Sequence, residues 1–166
     1  MNTVIFNSLP VEIKDVCAMG KLFKSLTTRK DILAFSEYIE NHPDNLGKDP
    51  FPVFHRFAGG IYTREMHAPA GSIIIGAIHK DAYHINVLKG RIWVVNEFGV
   101  KDVEAPFSFV AREGIKNIGY VIEDLVWVDS TRTDKTTVEE AEEELFIDDY
   151  ETLNERLNIV EEVCQQ

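Results

Sequence analysis

Residues 60–79 read GIYTREMHAPAGSIIIGAIH, and this stretch decides the fold class. It contains two short runs rich in β-branched and aromatic residues, Gly60–Ala68 and Ser72–His79, joined by Pro69-Ala70-Gly71. Runs of this length, bounded by proline and glycine, are typical of β-strands connected by a tight turn. The stretch therefore predicts two neighbouring antiparallel strands.

The same pattern continues as far as residue 130. Turn residues such as Lys89-Gly90, Glu97-Phe98-Gly99 and Arg112-Glu113-Gly114 separate further predicted strands, which are Ile85–Lys89, Arg91–Glu97, Val100–Ala105, Ser108–Val110, Asn117–Ile122 and Leu125–Asp129. Nothing between the runs has the length or period of a crossover helix, so a parallel sheet is excluded. We expect a small antiparallel β-barrel or jelly roll over residues 53–130.

A helical extension is predicted ahead of this β region, in residues 1–52. Thr28 is placed to cap a helix in which Asp31 is the third residue. The apolar residues that follow recur at helical spacing, and the helix is expected to end near Pro43. Residues 44–52 contain two prolines and a glycine, and they predict a connecting loop.

An acidic helical segment is predicted after the β region, in residues 131–166. The chain has 28 acidic and 17 basic residues, a formal net charge of −11, and most of the acidic excess lies in this segment. Thr137 and Glu140 have the spacing of a capping box, and apolar positions over Asp149–Val163 predict a second helix. We expect the acidic residues to form a solvated helix face, with a docking tail for a basic partner as the alternative.

Charge and hydropathy exclude two classes of partner. The residues before the acidic segment are nearly neutral and form no basic stripe, so we expect no nucleic-acid binding. The longest apolar runs are far shorter than the roughly 20 residues of a membrane-spanning helix, so we expect no membrane partner. Cys17 and Cys164 form no CxxC pair, and we expect a cytoplasmic location.

Alternation along the strand Gly60–Ala68 singles out one charged side chain. Successive strand residues face opposite sides, so Arg64 shares its side with the apolar residues Tyr62 and Met66. A guanidinium on an inward row needs either a partner or a ligand. Two interpretations stay open, a salt-bridged structural arginine and a contact to an anionic ligand.

Two histidines are the candidate metal ligands. Ile73, Ile75, Ala77 and His79 are expected to share the inward face, which places His79 at the rim of the barrel. His84 follows five residues later, and two imidazoles that converge across a short turn bind a divalent cation weakly. We therefore predict a metal site at His79 and His84, with a hydrogen-bonded structural pair as the alternative.

Nucleophilic catalysis has no signature in this sequence. There is no GxSxG elbow, no glycine-rich phosphate loop, and neither cysteine has a histidine close by in the sequence. Trp93 and Trp127 are expected in the core or at a subunit interface, with stacking on a planar ligand as the alternative. We therefore assign no catalytic residue.

Residues 71–90 resemble the first conserved motif of cupins, in which a glycine is followed by two histidines, a glutamate and a closing glycine. Gly71, His79 and Gly90 match that motif, whereas Ala77 replaces its first histidine. In the second cupin motif Asn117 stands in place of the histidine. The resemblance implies a cupin fold in which His79 alone matches a usual metal ligand.

The chain is also similar to small cupin-like proteins of tailed bacteriophages and some bacteria over residues 53–146. The similarity lies in runs such as GAIHK at residues 76–80 and GIKNIGY at residues 114–120. It implies a bacteriophage origin, a pocket inside the barrel and a homodimer, because cupin-like proteins usually form dimers. The candidate ligand-binding residues are Arg64, His79, His84, Asn86, Asn117 and Tyr120.

Three functions fit these observations. The first is a non-catalytic module that holds a small polar or anionic ligand, and that a phage would use to sequester a host metabolite. The second is a structural or interaction protein, and the third is a metal-dependent cupin enzyme with an atypical histidine site. Because most cupin ligand positions are replaced and Arg64 faces inward, we predict the binding module. We expect no certain cofactor, at most a weakly bound divalent metal, and a symmetric homodimer that covers exposed strand edges.

Overall fold

The chain is mainly β in the computed structural model, which describes residues 2–5 and 16–147. The elements are β1 Asn2–Ile5, α1 Val16–Ser25, α2 Arg29–Glu40, β2 Val53–Ala58, β3 Ile61–Ala68, β4 Ser72–Ile75, β5 Ile78–His79, β6 Tyr83–Asn96, β7 Gly99–Glu104, β8 Phe107–Ala111, β9 Ile118–Arg132, α3 Val138–Leu145 and β10 Phe146–Ile147. All strand pairs within these ranges are antiparallel. The predicted fold class, mainly β and antiparallel with helices on both sides, is confirmed.

Two sheets share the long strands β6 and β9. The strand order is β2-β3-β9-β6-β8 in what we call the front sheet, and β1-β4-β9-β6-β7 in what we call the back sheet. The pairing of β6 with β9 shifts register between Val87 and Ile92, where the strands pass from one sheet to the other. Apolar side chains of both sheets pack together between them, which is the arrangement of a jelly roll.

Gly90 lies at this transition between the sheets. The sequence predicts a turn at Lys89-Gly90, and that prediction is wrong, because both residues lie within the single strand β6. Gly90 has a φ of +84°, and a Cβ at this position would lie 2.3 Å from the carbonyl oxygen of Asp124 in β9. Glycine alone permits this backbone conformation together with so close an approach.

The helices α1 and α2 cover the outer face of the back sheet. The fully buried side chains of Met19, Phe23 and Ile32 pack in one cluster with Ile73 and Tyr120 of the sheet. The Arg29 side chain ties the start of α2 to the β6–β7 hairpin through an ion pair with Glu97, with 2.8 Å between Nη2 and Oε1. The outer face of the front sheet instead carries exposed apolar side chains.

The predicted helix starts are confirmed. Thr28 caps α2 in a capping box with Asp31, and α2 ends at Glu40, three residues before Pro43. Thr137 caps α3, where its side chain accepts a hydrogen bond from the backbone of Glu140. The helix predicted over Asp149–Val163 lies outside the described residues. None of the described helices is both long and apolar enough to cross a membrane.

Candidate functional site

A cavity of about 40 Å³ lies between the two sheets. A smaller void of about 10 Å³ lies beside Arg64, and both spaces are lined by His79 and Asp129. One water molecule needs on the order of 10–15 Å³, so the cavity accommodates a few waters or a small ligand. Its lining residues are Met66, Ile74, Gly76, Ala77, His79, Tyr83, Ile92, Val94, Asn117, Gly119, Trp127 and Asp129.

Arg64 and Asp129 form the charged end of this space. They stand opposite each other in the β3–β9 pair, and they are only 2% and 5% exposed. The Arg64 guanidinium forms an ion pair with Asp49, which belongs to the loop before β2. Arg64 therefore lies on the inward row as predicted, and its pairing with Asp49 favours the structural interpretation.

The Asp129 carboxylate has one satisfied oxygen and one unsatisfied oxygen. The indole Nε1 of Trp127 donates a hydrogen bond to Asp129 Oδ1 at 2.6 Å, whereas Oδ2 has no partner among the described residues. Burial raises the pKa of Asp129 to about 6, although the nearby Arg64 charge and the Trp127 hydrogen bond both lower it. A buried polar atom without a partner costs about 1–3 kcal/mol, so a ligand that supplies the missing hydrogen bond recovers that energy.

His79 supplies a second unsatisfied atom. Its ring stacks on Tyr83 with centroids 3.5 Å apart and meets Phe146 edge to face at 4.7 Å. Burial lowers the pKa of His79 to about 3, with a smaller effect of the Arg64 charge, so the imidazole is neutral at physiological pH. Its Nδ1 is buried and lacks a hydrogen-bond partner in the part of the chain that the structure describes.

Asn117, one of the predicted ligand-binding residues, is also part of the polar lining of the cavity. The Asn117 Oδ1 accepts a hydrogen bond from Asn96 Nδ2 at 2.9 Å, and Tyr83 lines the same cavity. Burial raises the pKa of Tyr83, so its hydroxyl stays protonated. The amide is thereby held in one orientation beside the cavity.

The segment that contains α3 and β10 closes the end of the cavity at which His79 and Asp129 lie. Strand β10 pairs with β5, which sets Phe146 opposite His79. The Lys80 side chain donates a hydrogen bond to the Glu143 carbonyl at 2.8 Å, and Lys48 of the loop before β2 forms an ion pair with Glu142. These contacts explain why His79 and Asp129 are both almost inaccessible to solvent.

Three predicted ligand-binding residues lie away from the cavity. His84 follows Tyr83 directly in β6, so it faces the opposite side of the front sheet and is exposed. Asn86 has the same outward parity, and Tyr120 lies under α1, with its ring 6.5 Å from that of Phe23. The structure therefore does not bring His84 to His79, and the predicted two-histidine metal site is corrected.

His84, Asn86 and Ser108 form a closed ring of hydrogen bonds on the outer face of the front sheet. Ser108 Oγ donates to Asn86 Oδ1 at 2.9 Å, and the two histidine nitrogens lie 3.2 Å from Asn86 Nδ2 and Ser108 Oγ. When the Asn86 amide donates to His84 Nδ1, the ring proton is on Nε2 and points at Ser108 Oγ. The imidazole is then no base toward this serine, so the trio is not an activated nucleophile.

The residues at the cavity do not fit the metal centre that the cupin resemblance implies. A catalytic metal usually has at least three protein ligands. Among residues 2–5 and 16–147 there is no group of three or more histidine, cysteine, aspartate or glutamate side chains arranged to hold an ion. At the cavity itself the candidate ligands are His79 and Asp129, which are fewer than a catalytic metal centre needs.

Asp129 and Tyr83 are not among the site residues predicted from the sequence, and Trp127 was expected in the core or at a subunit interface. The signal for Asp129 was present, because this carboxylate shares its strand parity with Trp127, just as Arg64 shares parity with Met66. The sequence pattern does not single out Tyr83, because the predicted strand begins two residues later, at Ile85, whereas β6 begins at Tyr83. Each of the three lies on an inward row of the front sheet.

Comparisons with known proteins give similarity in structure only. No family model and no curated protein matches the sequence. Solved structures that match include a cupin-2 domain protein from Shewanella frigidimarina (7% identity, 49% of this chain and 80% of that one, TM-score 0.43) and a cupin protein from Bacteroides fragilis (9%, 52% and 80%, 0.43). An acetylacetone dioxygenase from Acinetobacter johnsonii also matches (16%, 48% and 58%, 0.42).

We predict that the Trp127 indole reports the charge of Asp129. Its N–H resonance should move downfield as the pH rises through about 6, because the hydrogen bond strengthens when the buried carboxylic acid becomes a carboxylate. Proton–nitrogen NMR of the two indole groups measures this, with Trp93 as the internal control, since it packs in the helix cluster. The Asp129→Asn variant should lose the titration of Trp127. An unchanged titration in that variant would show that another group is responsible.

Proposed function

We propose that this chain is a non-catalytic protein that binds a small ligand in the cavity between its front and back sheets. The observation that carries the proposal is a pair of buried atoms without partners among the described residues, His79 Nδ1 and Asp129 Oδ2, on two side chains that line one cavity with mostly apolar walls. Apolar pockets with a few convergent polar groups are the usual form of small-molecule sites. A bound ligand offsets the cost of both unsatisfied atoms.

Two observations support binding rather than catalysis. Ser108, which lies beside His84, is held in a closed hydrogen-bond ring on the outer face of the front sheet. The cavity offers His79 and Asp129 as donors for a cation, which is too small a set for a catalytic metal centre. The resemblance of residues 53–146 to cupin-like proteins of tailed bacteriophages is the ground for proposing a setting in infected cells, where such a module would sequester a host metabolite.

The proposal is tested by the small molecules that the protein carries through purification. Protein purified under native conditions is denatured, and the released compounds are identified by mass spectrometry. We expect one compound in near-stoichiometric amount from the wild type and none from Ala77→Leu, whose larger side chain fills the cavity. Ala34→Leu, on the exposed surface of α2, is the matched control and should retain the compound. If no compound distinguishes the wild type from Ala77→Leu, the proposal is contradicted.

A second role, self-association, is favoured by the outer face of the front sheet. Leu88 and Val110 are 59% and 64% exposed there, and β8 is an edge strand that pairs with β6 on one side. An identical chain related by a two-fold axis would cover both features, and we propose such a homodimer.

Light scattering at micromolar concentration should give about twice the 18.9 kDa of one chain. The Val110→Glu variant should be monomeric, because it places a charge in the proposed interface. Val100→Glu makes the same change at the exposed start of β7 and should leave the dimer intact. A wild-type protein that stays monomeric at high concentration would refute the homodimer.

A further inference from the structure

We infer that the ligand in this cavity is a short aliphatic molecule recognised through a hydrogen-bond-donating head group without negative charge, with a primary amine as the preferred form. This inference rests on the proposed function and adds the chemical class of the ligand. It differs from the anionic ligand that an inward-facing Arg64 suggests from the sequence alone.

The charges around the cavity disfavour an anion. Among the described residues that line the cavity or the smaller void beside it, Arg64 is the one cation and Asp129 the one carboxylate. The guanidinium also forms an ion pair with Asp49, so two carboxylates, Asp49 and Asp129, lie beside this one positive charge. An anionic head group at this end would therefore meet the Asp129 carboxylate at close range, and repulsion between like charges in a buried site is severe.

Both unsatisfied atoms can accept hydrogen bonds, so they favour a ligand that donates them. Asp129 Oδ2 accepts hydrogen bonds when the carboxylate is ionised, and it has no donor among the described residues. A primary ammonium group supplies three donors and a positive charge, which makes a strong charge-assisted hydrogen bond to a buried carboxylate. His79 lines the same cavity, and its Nδ1 is available as an acceptor for a second of these donors when the ring proton is on Nε2.

The remaining lining residues are apolar, and they determine the chemical nature of the part of the ligand beyond its head group. Met66, Ile74, Ile92 and Val94 provide apolar walls, and the Trp127 ring forms part of the same surface. A cavity of about 40 Å³ suits a chain of a few carbon atoms. Burial of an aliphatic chain against these walls is favourable, whereas burial of a second charged group against them is costly.

The test compares three ligands of equal chain length, n-butylamine, n-butanol and butyrate, at pH 7.5. Binding to the full chain is followed by the NMR shift of the Trp127 indole, with Trp93 as the internal control. We expect butylamine to bind at least about tenfold more tightly than butanol, in line with a charge-assisted hydrogen bond, and butyrate not to bind. Asp129→Asn should reduce butylamine to the affinity of butanol or below, whereas Asp81→Asn, at an exposed site, should change nothing.

The possible outcomes test the inferred ligand class and the proposed function separately. If butyrate binds as well as butylamine or better, the inferred ligand class is wrong, while binding in the cavity stands. If none of the three compounds shifts Trp127 at millimolar concentration, the proposed function fails together with the class. The ranking of the three compounds on the wild type decides the inference even if Asp129→Asn does not fold.

Discussion

Replacing Gly90 by alanine should lower the free energy of unfolding by about 4 kcal/mol or more, which is at the upper end for single substitutions. The added Cβ would lie 2.3 Å from the carbonyl oxygen of Asp124 and 2.7 Å from that of Glu123, both in the backbone of β9. Neither atom belongs to a flexible side chain, so β6 and β9 must separate where they pass between the sheets. Chemical denaturation followed by circular dichroism measures the loss.

Gly71→Ala is the matched control for this effect. Gly71 has the same φ of +84°, but a Cβ there would meet nothing within 4 Å. Its substitution should cost only the strain of the left-handed conformation, about 1–2 kcal/mol. Equal losses in the two variants would mean that the close approach of β6 and β9 is not what requires glycine at position 90.

The second large effect is expected at Arg64. The Arg64→Met variant keeps much of the side-chain volume but leaves the buried Asp129 without its neighbouring cation, and it breaks the ion pair with Asp49. Removing one partner of a buried charge pair typically costs about 3–5 kcal/mol, because the other charge stays buried and uncompensated. We expect a loss of this size in denaturant unfolding at pH 7.5.

Two further variants identify the cause of that loss. Arg56→Met removes a cation from the exposed outer face of the same sheet, where Arg56 pairs with Glu65 at 2.8 Å, and it should cost at most about 1 kcal/mol. Adding Asp129→Asn to Arg64→Met should recover part of the stability, since it removes the uncompensated carboxylate. If the double variant is less stable than Arg64→Met alone, the loss does not come from an unpaired charge at Asp129.

The fold class was predictable because strand alternation and turn residues act locally. The prediction at Lys89-Gly90 was wrong because a glycine with positive φ permits a tight turn and also a close strand crossing, and the sequence pattern is the same for both. Helix α1 and strand β2 were not predicted. Strand β2 begins right after a proline-containing loop, and its side chains alternate only between half-buried and exposed.

The site was predictable only where strand parity was correct. Arg64 was placed on the inward row because β3 is regular from Ile61 to Ala68. Ile73 and Ile75 were expected to share a face with His79, but they pack against the helices, whereas His79 lines the cavity. The chain leaves the sheet between β4 and β5, at Gly76 and Ala77, and a break of this kind resets which residues face inward. A one-residue error of the same type placed His84 inside instead of Tyr83.

The central claim, that the cavity between the sheets holds a small ligand on His79 and Asp129, is tested most directly by a crystal structure of the protein soaked with n-butylamine. We predict electron density for the amine nitrogen within hydrogen-bond distance of Asp129 Oδ2, with the carbon chain against Met66 and Ile92. Density showing that His79 and Asp129 satisfy each other directly, with side chains filling the cavity and no bound amine, would contradict the account.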